Sequence, residues 1–257
     1  MARIIAVASG KGGVGKTTTI SNLGAILTEV GKEVVVVDGN LTTPNLSLHF
    51  GIPLYPITLH DVLKGDAYIT EAMYIHPSGV RIVPASLSID DMEGTDVRDV
   101  PSTLTDLLGN TEMILMDTAA GLGQETISTL EAADELLLVT QPDLPSITDA
   151  LKTKRVAEEM GTEILGAVLN KVRGSKTQLT ESEARDMLDN IPLLAKIPHD
   201  NNVPESINMK RPVVHHSPDS PASSGFRQLA SELIGEEIKF KGSNRGFFSK
   251  LLGWLRG

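Results

Sequence analysis

Short apolar runs alternate along the chain with stretches whose apolar positions recur at helical spacing. The apolar runs are residues 4–8, 33–38, 80–84, 113–117, 135–140, 164–169 and 193–197. The amphipathic stretches are residues 16–30, 147–160, 180–188 and 222–234. Strands that are apolar on both faces are typical of a parallel sheet covered by helices on both sides. The pattern therefore predicts an α/β fold, a doubly wound and mainly parallel sheet with helices on both faces.

The C-terminal segment has a different pattern. Residues 239–257 hold five basic side chains and no acidic one, whereas the whole chain has a formal net charge of −10, which leaves −15 for residues 1–238. If residues 245–257 form a helix, its large apolar side chains share one face and Lys250 lies on the other. That apolar set consists of Phe247, Phe248, Leu251, Leu252, Trp254 and Leu255. An apolar face flanked by cations is typical of a helix that lies in a membrane interface.

Together these patterns predict three parts of the chain. Residues 1–238 form the domain, residues 239–244 form a flexible basic linker, and residues 245–257 form an amphipathic membrane-targeting helix. A terminal helix that docks on the protein's own core is the alternative for the last part. The lack of acids in this segment favours an anionic membrane surface as its partner.

Composition excludes several classes of protein. The chain has 257 residues and no cysteine, so disulfides, thiolate zinc sites and cysteine-ligated iron–sulfur clusters are ruled out. No stretch approaches the roughly eighteen consecutive apolar residues of a membrane-spanning helix, and the apolar start runs into a glycine loop instead of a cleavage site. We expect a cytoplasmic protein that lies peripherally on the inner face of the cell membrane.

A glycine-rich loop follows the first apolar run and opens the first predicted helix. It has two glycines separated by four residues, followed by Lys16 and Thr17, which is the phosphate-binding pattern. In such loops backbone amides surround phosphate oxygens, the lysine reaches the terminal phosphates and the hydroxyl serves Mg²⁺. The predicted binding residues are Gly10, Lys11, Gly12, Gly13, Val14, Gly15, Lys16, Thr17 and Thr18. The loop therefore predicts a phosphate-bearing nucleotide and Mg²⁺ as ligands, the alternative being a plain turn that closes a βα unit.

Two apolar runs end in a carboxylate. Asp38 follows four valines, and Asp117 ends the run that starts at residue 113. Because parallel strands deliver their carboxyl ends to one edge of a sheet, both carboxylates are expected beside the phosphate loop. Together with Thr17 they are the predicted Mg²⁺ site, although either aspartate could instead cap the next helix.

The loop sequence from Lys11 to Thr18, KGGVGKTT, resembles the deviant Walker A motif of the MinD/ParA ATPases. Residues 38–48 resemble the family's switch I, and residues 117–121 resemble its switch II. The resemblance implies a homodimer that encloses ATP, in which Lys11 reaches the partner's phosphates. It also implies that the side-chain amide of Asn170 contacts adenine and that the loop at Pro198 lies beneath the base.

One position departs from the family pattern. Switch I of this family usually reads Asp-x-Asp, with the second aspartate placing the attacking water, whereas this chain has Asn40 there. An asparagine can hydrogen-bond a water but cannot accept its proton. Asn40 therefore joins Lys11 and Lys16 as a candidate catalytic residue, and we expect hydrolysis that is slow or that depends on another group.

The predicted C-terminal helix narrows the expected function, because MinD proteins have such a helix and ParA proteins generally do not. We expect a MinD-like ATPase that dimerises around ATP and Mg²⁺, associates reversibly with the membrane, and positions partner proteins for cell division or other surface machinery. An activator or cargo protein is implied, but the sequence does not identify it. The alternatives are an ATP-gated membrane scaffold with little hydrolysis and a ParA-like DNA-partitioning ATPase. DNA is disfavoured as a partner because the domain is acidic.

Overall fold

The computed structural model describes residues 2–51, 54–109 and 111–238. Its strands are β1 (Arg3–Ala8), β2 (Val34–Asp38), β3 (Tyr74–Ile75), β4 (Arg81–Val83), β5 (Met113–Asp117), β6 (Glu135–Thr140), β7 (Glu163–Val172) and β8 (Leu193–Pro198). Its α-helices are α1 (Lys16–Glu29), α2 (Leu46–Phe50), α3 (Leu59–Leu63), α4 (Val100–Thr103), α5 (Gln124–Glu131), α6 (Leu144–Met160), α7 (Glu181–Met187), α8 (Asn202–Asn208), α9 (Val213–His216) and α10 (Pro221–Ile234). The predicted linker 239–244 and helix 245–257 lie outside the described residues.

The strands form one sheet with the order β3-β4-β2-β5-β1-β6-β7-β8. All neighbouring strands are parallel except β3 and β4. The predicted doubly wound, mainly parallel sheet is therefore confirmed. Strand β3 was not predicted, because it is only two residues long and its Ile75 is exposed at the edge of the sheet.

Helices cover both faces of the sheet. Successive side chains of a strand point to opposite faces, and β2 shows this clearly. Val35 and Val37 belong to the apolar layer that contains Ile147 of α6. Val34 and Val36 belong to the layer that contains Phe226 of α10. The unbroken apolar run of β2 therefore reflects burial on both sides.

The long predicted helices correspond to α1, α6, α7 and α10. Helix α6 begins at Leu144, three residues before the predicted start, because Asp143 caps it by accepting a hydrogen bond from the Ser146 amide at 2.9 Å. The unpredicted helices have eight residues or fewer, too few for a clear helical period. In the described part of the chain, every helix is too short or too polar to cross a lipid bilayer.

Candidate nucleotide-binding site

The phosphate loop and both predicted metal-binding carboxylates meet at one edge of the sheet. Strands β1, β2 and β5 are adjacent, and Asp38 at the end of β2 is directly paired with Asp117 at the end of β5. The loop leaves β1 beside Asp117, because Val7 is paired with that residue. The sheet order therefore brings together the groups that the sequence places about eighty residues apart.

Two glycines of the loop are required by its geometry. Gly15, the residue immediately before α1, has a φ of 106°, and a Cβ there would lie 2.2 Å from Nδ2 of Asn170. A Cβ on Gly10 would lie 2.4 Å from the backbone oxygen of Asp149 in α6. A side chain at either position would force the loop away from its neighbours, so the pattern of glycines follows from packing as well as from phosphate binding.

Lys16 lies in the first turn of α1 and is almost completely buried. Its Nζ donates a hydrogen bond to Oγ of Ser9 at 3.2 Å. Burial lowers the pKa of the Lys16 ammonium, and the nearby Asp117 carboxylate partly offsets that effect. An ammonium group has three donors, and in the described part of the chain the Ser9 hydroxyl uses one of them, which leaves donors for a phosphate.

Thr17, Asp38 and Asp117 form a compact set of oxygen atoms. The Thr17 hydroxyl donates to Oδ2 of Asp117 at 2.5 Å, and both carboxyl groups are fully buried. Among the described residues, Oδ1 of Asp117 is buried without a hydrogen-bond partner. Since a hard cation such as Mg²⁺ prefers oxygen ligands and keeps several waters, these residues fit the predicted metal.

Burial changes the protonation of this pair of carboxyl groups. It raises the pKa of Asp117 to about 6, against the opposing effects of the Thr17 hydroxyl and the Lys16 charge. Burial and the neighbouring Asp117 charge hold the pKa of Asp38 well above its usual value. The folded, metal-free protein therefore binds more protons than the unfolded chain between pH 3.8 and about 6.

From these shifts we expect opposite effects of pH on stability and on metal binding. Without Mg²⁺, the contribution of this pair to the free energy of unfolding falls as the pH rises towards and through about 6. Mg²⁺ binding should weaken below that pH, by about tenfold per unit for one competing proton. Thermal unfolding without metal and calorimetric titration of the nucleotide-bound protein with Mg²⁺ measure the two effects. The same pH dependence of both in an Asp117→Asn variant would contradict this assignment.

Asn40 closes the turn that follows β2. Its Nδ2 donates to the backbone oxygen of Thr43 at 2.5 Å, and its Oδ1 accepts from the Thr43 hydroxyl at 3.1 Å. The backbone N–H of Asn40 donates to Oδ1 of Asp38 at 3.3 Å. The side chain is 8% exposed and borders the cavity beside the phosphate loop. In the structure Asn40 therefore shapes switch I, which leaves only part of its hydrogen-bonding capacity for a water.

An Asn40→Asp variant should hydrolyse ATP faster than the natural protein. A carboxylate can accept the proton of the attacking water, an effect that commonly contributes 10²-fold or more, but the substitution also removes the donor to Thr43. We therefore expect roughly a tenfold rise in turnover, measured by phosphate release. Asn190→Asp, which makes the same chemical change at an exposed position, should leave the rate unchanged. Equal or lower turnover in Asn40→Asp would mean that another group places the water.

The predicted base-binding residues border the same cavity, which has a volume of about 550 Å³. Asn170 donates from Nδ2 to the backbone oxygen of Val14 at 2.7 Å and accepts from the Lys171 amide at 2.8 Å. An asparagine has one further donor and acceptor position after these two bonds, so a contact with adenine stays a prediction. Pro198, at the end of β8, also lines the cavity.

Lys11 lies apart from the cavity. Its Nζ is 3.9 Å from Oδ1 of Asp143, and its side chain is 49% exposed. The Lys11 backbone oxygen accepts a hydrogen bond from Ser9, which fixes the loop beneath the side chain. The sequence-predicted lysine is therefore on the surface at the phosphate-binding edge, where it can reach outward.

Some residues at the site are not among the functional candidates predicted from the sequence. Lys171 donates from Nζ to the backbone oxygen of Gly13 at 2.6 Å, with a φ of 54° that is unusual for lysine. Gln141 donates to the same oxygen at 3.3 Å. His49 lines the cavity, and burial lowers its pKa to about 4, so it is neutral at pH 7. No local motif marks such residues, because only the folded sheet brings them to the loop.

The fold and this edge of the sheet define a P-loop nucleotide-binding protein. Residues 5–213 match the family model described as the CobQ/CobB/MinD/ParA nucleotide binding domain. The chain belongs to this family, which confirms the resemblance seen in the sequence.

Individual relatives agree with this assignment. The chain is 36% identical over 259 residues to an uncharacterized ATP-binding protein of Methanocaldococcus jannaschii, covering 100% of this chain and 98% of the relative. It superposes on the cell division ATPase MinD of Pyrococcus furiosus with a TM-score of 0.88 at 37% identity, covering 91% of this chain and 99% of that one. For the septum site-determining protein MinD of Pyrococcus horikoshii, complexed with Mg-ADP, the TM-score is 0.88 at 38% identity, covering 93% and 100%.

Proposed function

We propose that this protein is a MinD-like ATPase that binds and hydrolyses ATP with Mg²⁺ and uses the nucleotide to control its association with a membrane. The observation that carries the proposal is the convergence of Lys16, Thr17, Asp38 and Asp117 beside the phosphate loop. The Mg-ADP held by the Pyrococcus horikoshii relative supports the same cofactors here. Asn40 makes the hydrolysis slow.

ATP drives formation of a homodimer in this proposal. Lys11 is half exposed, is anchored through its backbone, and pairs with Asp143, whose side chain is also partly exposed. A solvated lysine at the open edge of a phosphate site can reach the nucleotide of a facing subunit at little cost, because giving up an exposed ion pair costs little. ATP thereby links two copies across this edge.

Membrane binding follows from dimerisation. The helix predicted for residues 245–257 presents Phe247, Phe248 and Trp254 on one face. A single short helix binds an interface weakly, because its ordering offsets much of the apolar gain. Two such helices on one dimer gain avidity on the order of 10²-fold or more, so that ATP favours residence on anionic lipid.

A membrane-bound dimer of this kind would position another protein at the inner face of the cell membrane. The partner would be a cargo for division or another surface machine, or an activator of hydrolysis. Two rivals share the same fold. A scaffold that binds ATP with little turnover is consistent with Asn40, and a ParA-like DNA-partitioning ATPase is opposed by the charge of −15 on residues 1–238.

Two assays separate these possibilities. ATP turnover is measured with and without vesicles that contain anionic lipid, and sedimentation is measured with the same vesicles and with DNA. The proposal expects measurable turnover and ATP-dependent sedimentation with vesicles. Membrane binding without turnover would favour the scaffold, and sedimentation with DNA alone would favour the ParA-like function.

A further inference from the structure

We propose that Glu125 is a positioning residue for ATP hydrolysis, which holds switch I against the helix that follows switch II. The part of switch I involved is residues 39–45, between β2 and α2. The inference rests on the proposed ATPase function. It concerns a residue outside the phosphate loop and outside the aspartates that end β2 and β5.

The contact itself joins two elements that are separate along the chain. The Thr42 hydroxyl, in switch I, donates a hydrogen bond to Oε1 of Glu125 in the first turn of α5. Helix α5 starts seven residues after Asp117, the carboxylate that ends β5. Glu125 therefore connects switch I to the segment that leaves the metal-binding edge.

Switch I also packs directly on the same helix. A Cβ on Gly39 would lie 2.8 Å from the backbone oxygen of Asp117 and 3.0 Å from Oγ1 of Thr129. Thr129 lies one turn after Glu125, and its hydroxyl donates to the Glu125 backbone oxygen at 2.8 Å. Helix α5 therefore lies against this segment at two points. Thr129 is beside Gly39, and Glu125 bonds Thr42.

The second carboxylate oxygen of Glu125 indicates a role beyond stabilising the fold. Among the described residues, Oε2 is buried and has no hydrogen-bond partner. A carboxylate in the first turn of a helix is favoured by the helix dipole, but that effect does not require burial of the group. Burying an unpartnered oxygen opposes folding, so a purely stabilising role would favour a more exposed side chain.

The contact matters because Asn40 provides no proton acceptor. The Asn40 side chain closes a turn with Thr43, so the position of any water it orients depends on where the whole turn sits. Thr42 lies within that turn, so its bond to Glu125 ties the turn to α5. Displacement of a reacting group by about 1 Å can cost roughly 10²-fold in rate. Glu125 therefore sets the rate without touching the nucleotide, which the phosphate loop holds.

Two measurements on the full chain test this role. The first is amide hydrogen exchange of peptides covering residues 39–46 without nucleotide, and the second is steady-state ATP turnover. Glu125→Ala and Thr42→Val should each speed exchange of those peptides. Each should also lower kcat by roughly tenfold or more, with KM within about threefold of the natural value. Glu125→Gln, which keeps an acceptor oxygen, should restore most of kcat.

The controls separate a link between the two residues from two independent effects. Glu131→Ala removes an exposed carboxylate from the same helix and should leave both measurements unchanged. The Glu125→Ala/Thr42→Val double variant should lose no more kcat than either single variant, because the same bond is removed. Losses that multiply in the double variant would overturn the inference.

Other results of the exchange and turnover measurements also test the role of Glu125. Unchanged exchange in Glu125→Ala overturns the inference, whatever the rate does. Faster exchange with unchanged kcat overturns the positioning role. If the natural protein shows no turnover at all, the proposed hydrolysis fails, and with it the positioning role, while the exchange data still decide whether Glu125 holds switch I.

Discussion

A Lys16→Ala variant is expected to lose nucleotide binding and, with it, nucleotide-dependent dimerisation. Lys16 is buried beside Asp117, and within residues 2–51, 54–109 and 111–238 its Nζ has one hydrogen-bond partner, the Ser9 hydroxyl. Removing one partner of a desolvated charge pair commonly costs about 2–5 kcal/mol of binding. Titration with a fluorescent ATP analogue measures the affinity, and light scattering measures the mass.

Folding of the Lys16→Ala variant should be preserved, because removing a buried ammonium also removes its desolvation cost. Lys32→Ala is the matched control, since Lys32 lies in the α1–β2 turn at the opposite edge of the sheet and pairs with Glu236 at 3.3 Å. Nearly natural affinity in the Lys16 variant would contradict the assigned role.

Removal of residues 244–257 is expected to abolish sedimentation with anionic vesicles while leaving a folded protein that binds ATP. The sheet, the phosphate loop and both aspartates lie upstream of the deletion. With the intact chain, sedimentation should be stronger with ATP than with ADP and should weaken with salt, because two weak cationic helices act together. An unfolded truncated protein would instead favour the core-docking alternative.

Point variants within residues 245–257 test which face of the predicted helix enters the membrane. Leu251→Glu puts a carboxylate on the predicted apolar face, whereas Lys250→Glu reverses a charge on the polar face. Burying an unpaired carboxylate costs several kcal/mol, more than reversing a solvated charge, so Leu251→Glu should lose more binding. Equal losses would mean that the apolar face is wrongly assigned.

The sheet could be predicted from the sequence because burial on both faces leaves a continuous apolar run. Strand β2 is a clear example, with four consecutive valines divided between two core layers. The phosphate loop could be predicted for a related reason, since the packing around Gly10 and Gly15 excludes side chains. These features are local in sequence.

The features that the sequence does not predict depend on contacts between distant segments of the chain. Strand β3 has two residues and an exposed isoleucine, so it is too short to show an alternation of buried and exposed positions. Lys171 reaches Gly13 from 158 residues away, and Glu125 meets Thr42 from 83 residues away. Neither pair belongs to a motif, because the sheet order alone decides which loops share an edge.

ATP-dependent dimerisation is measured by the mass of the full chain in light scattering with Mg²⁺ and ATP, compared with Mg²⁺ and ADP. We expect a monomer of 27.5 kDa with ADP and twice that mass with ATP, which is the central prediction. We also expect Lys11→Ala to bind ATP with nearly natural affinity yet stay monomeric, because the exposed Lys11 acts across the dimer. A Lys11→Ala protein that dimerises normally with ATP, or a natural chain that stays monomeric with ATP, would contradict these expectations.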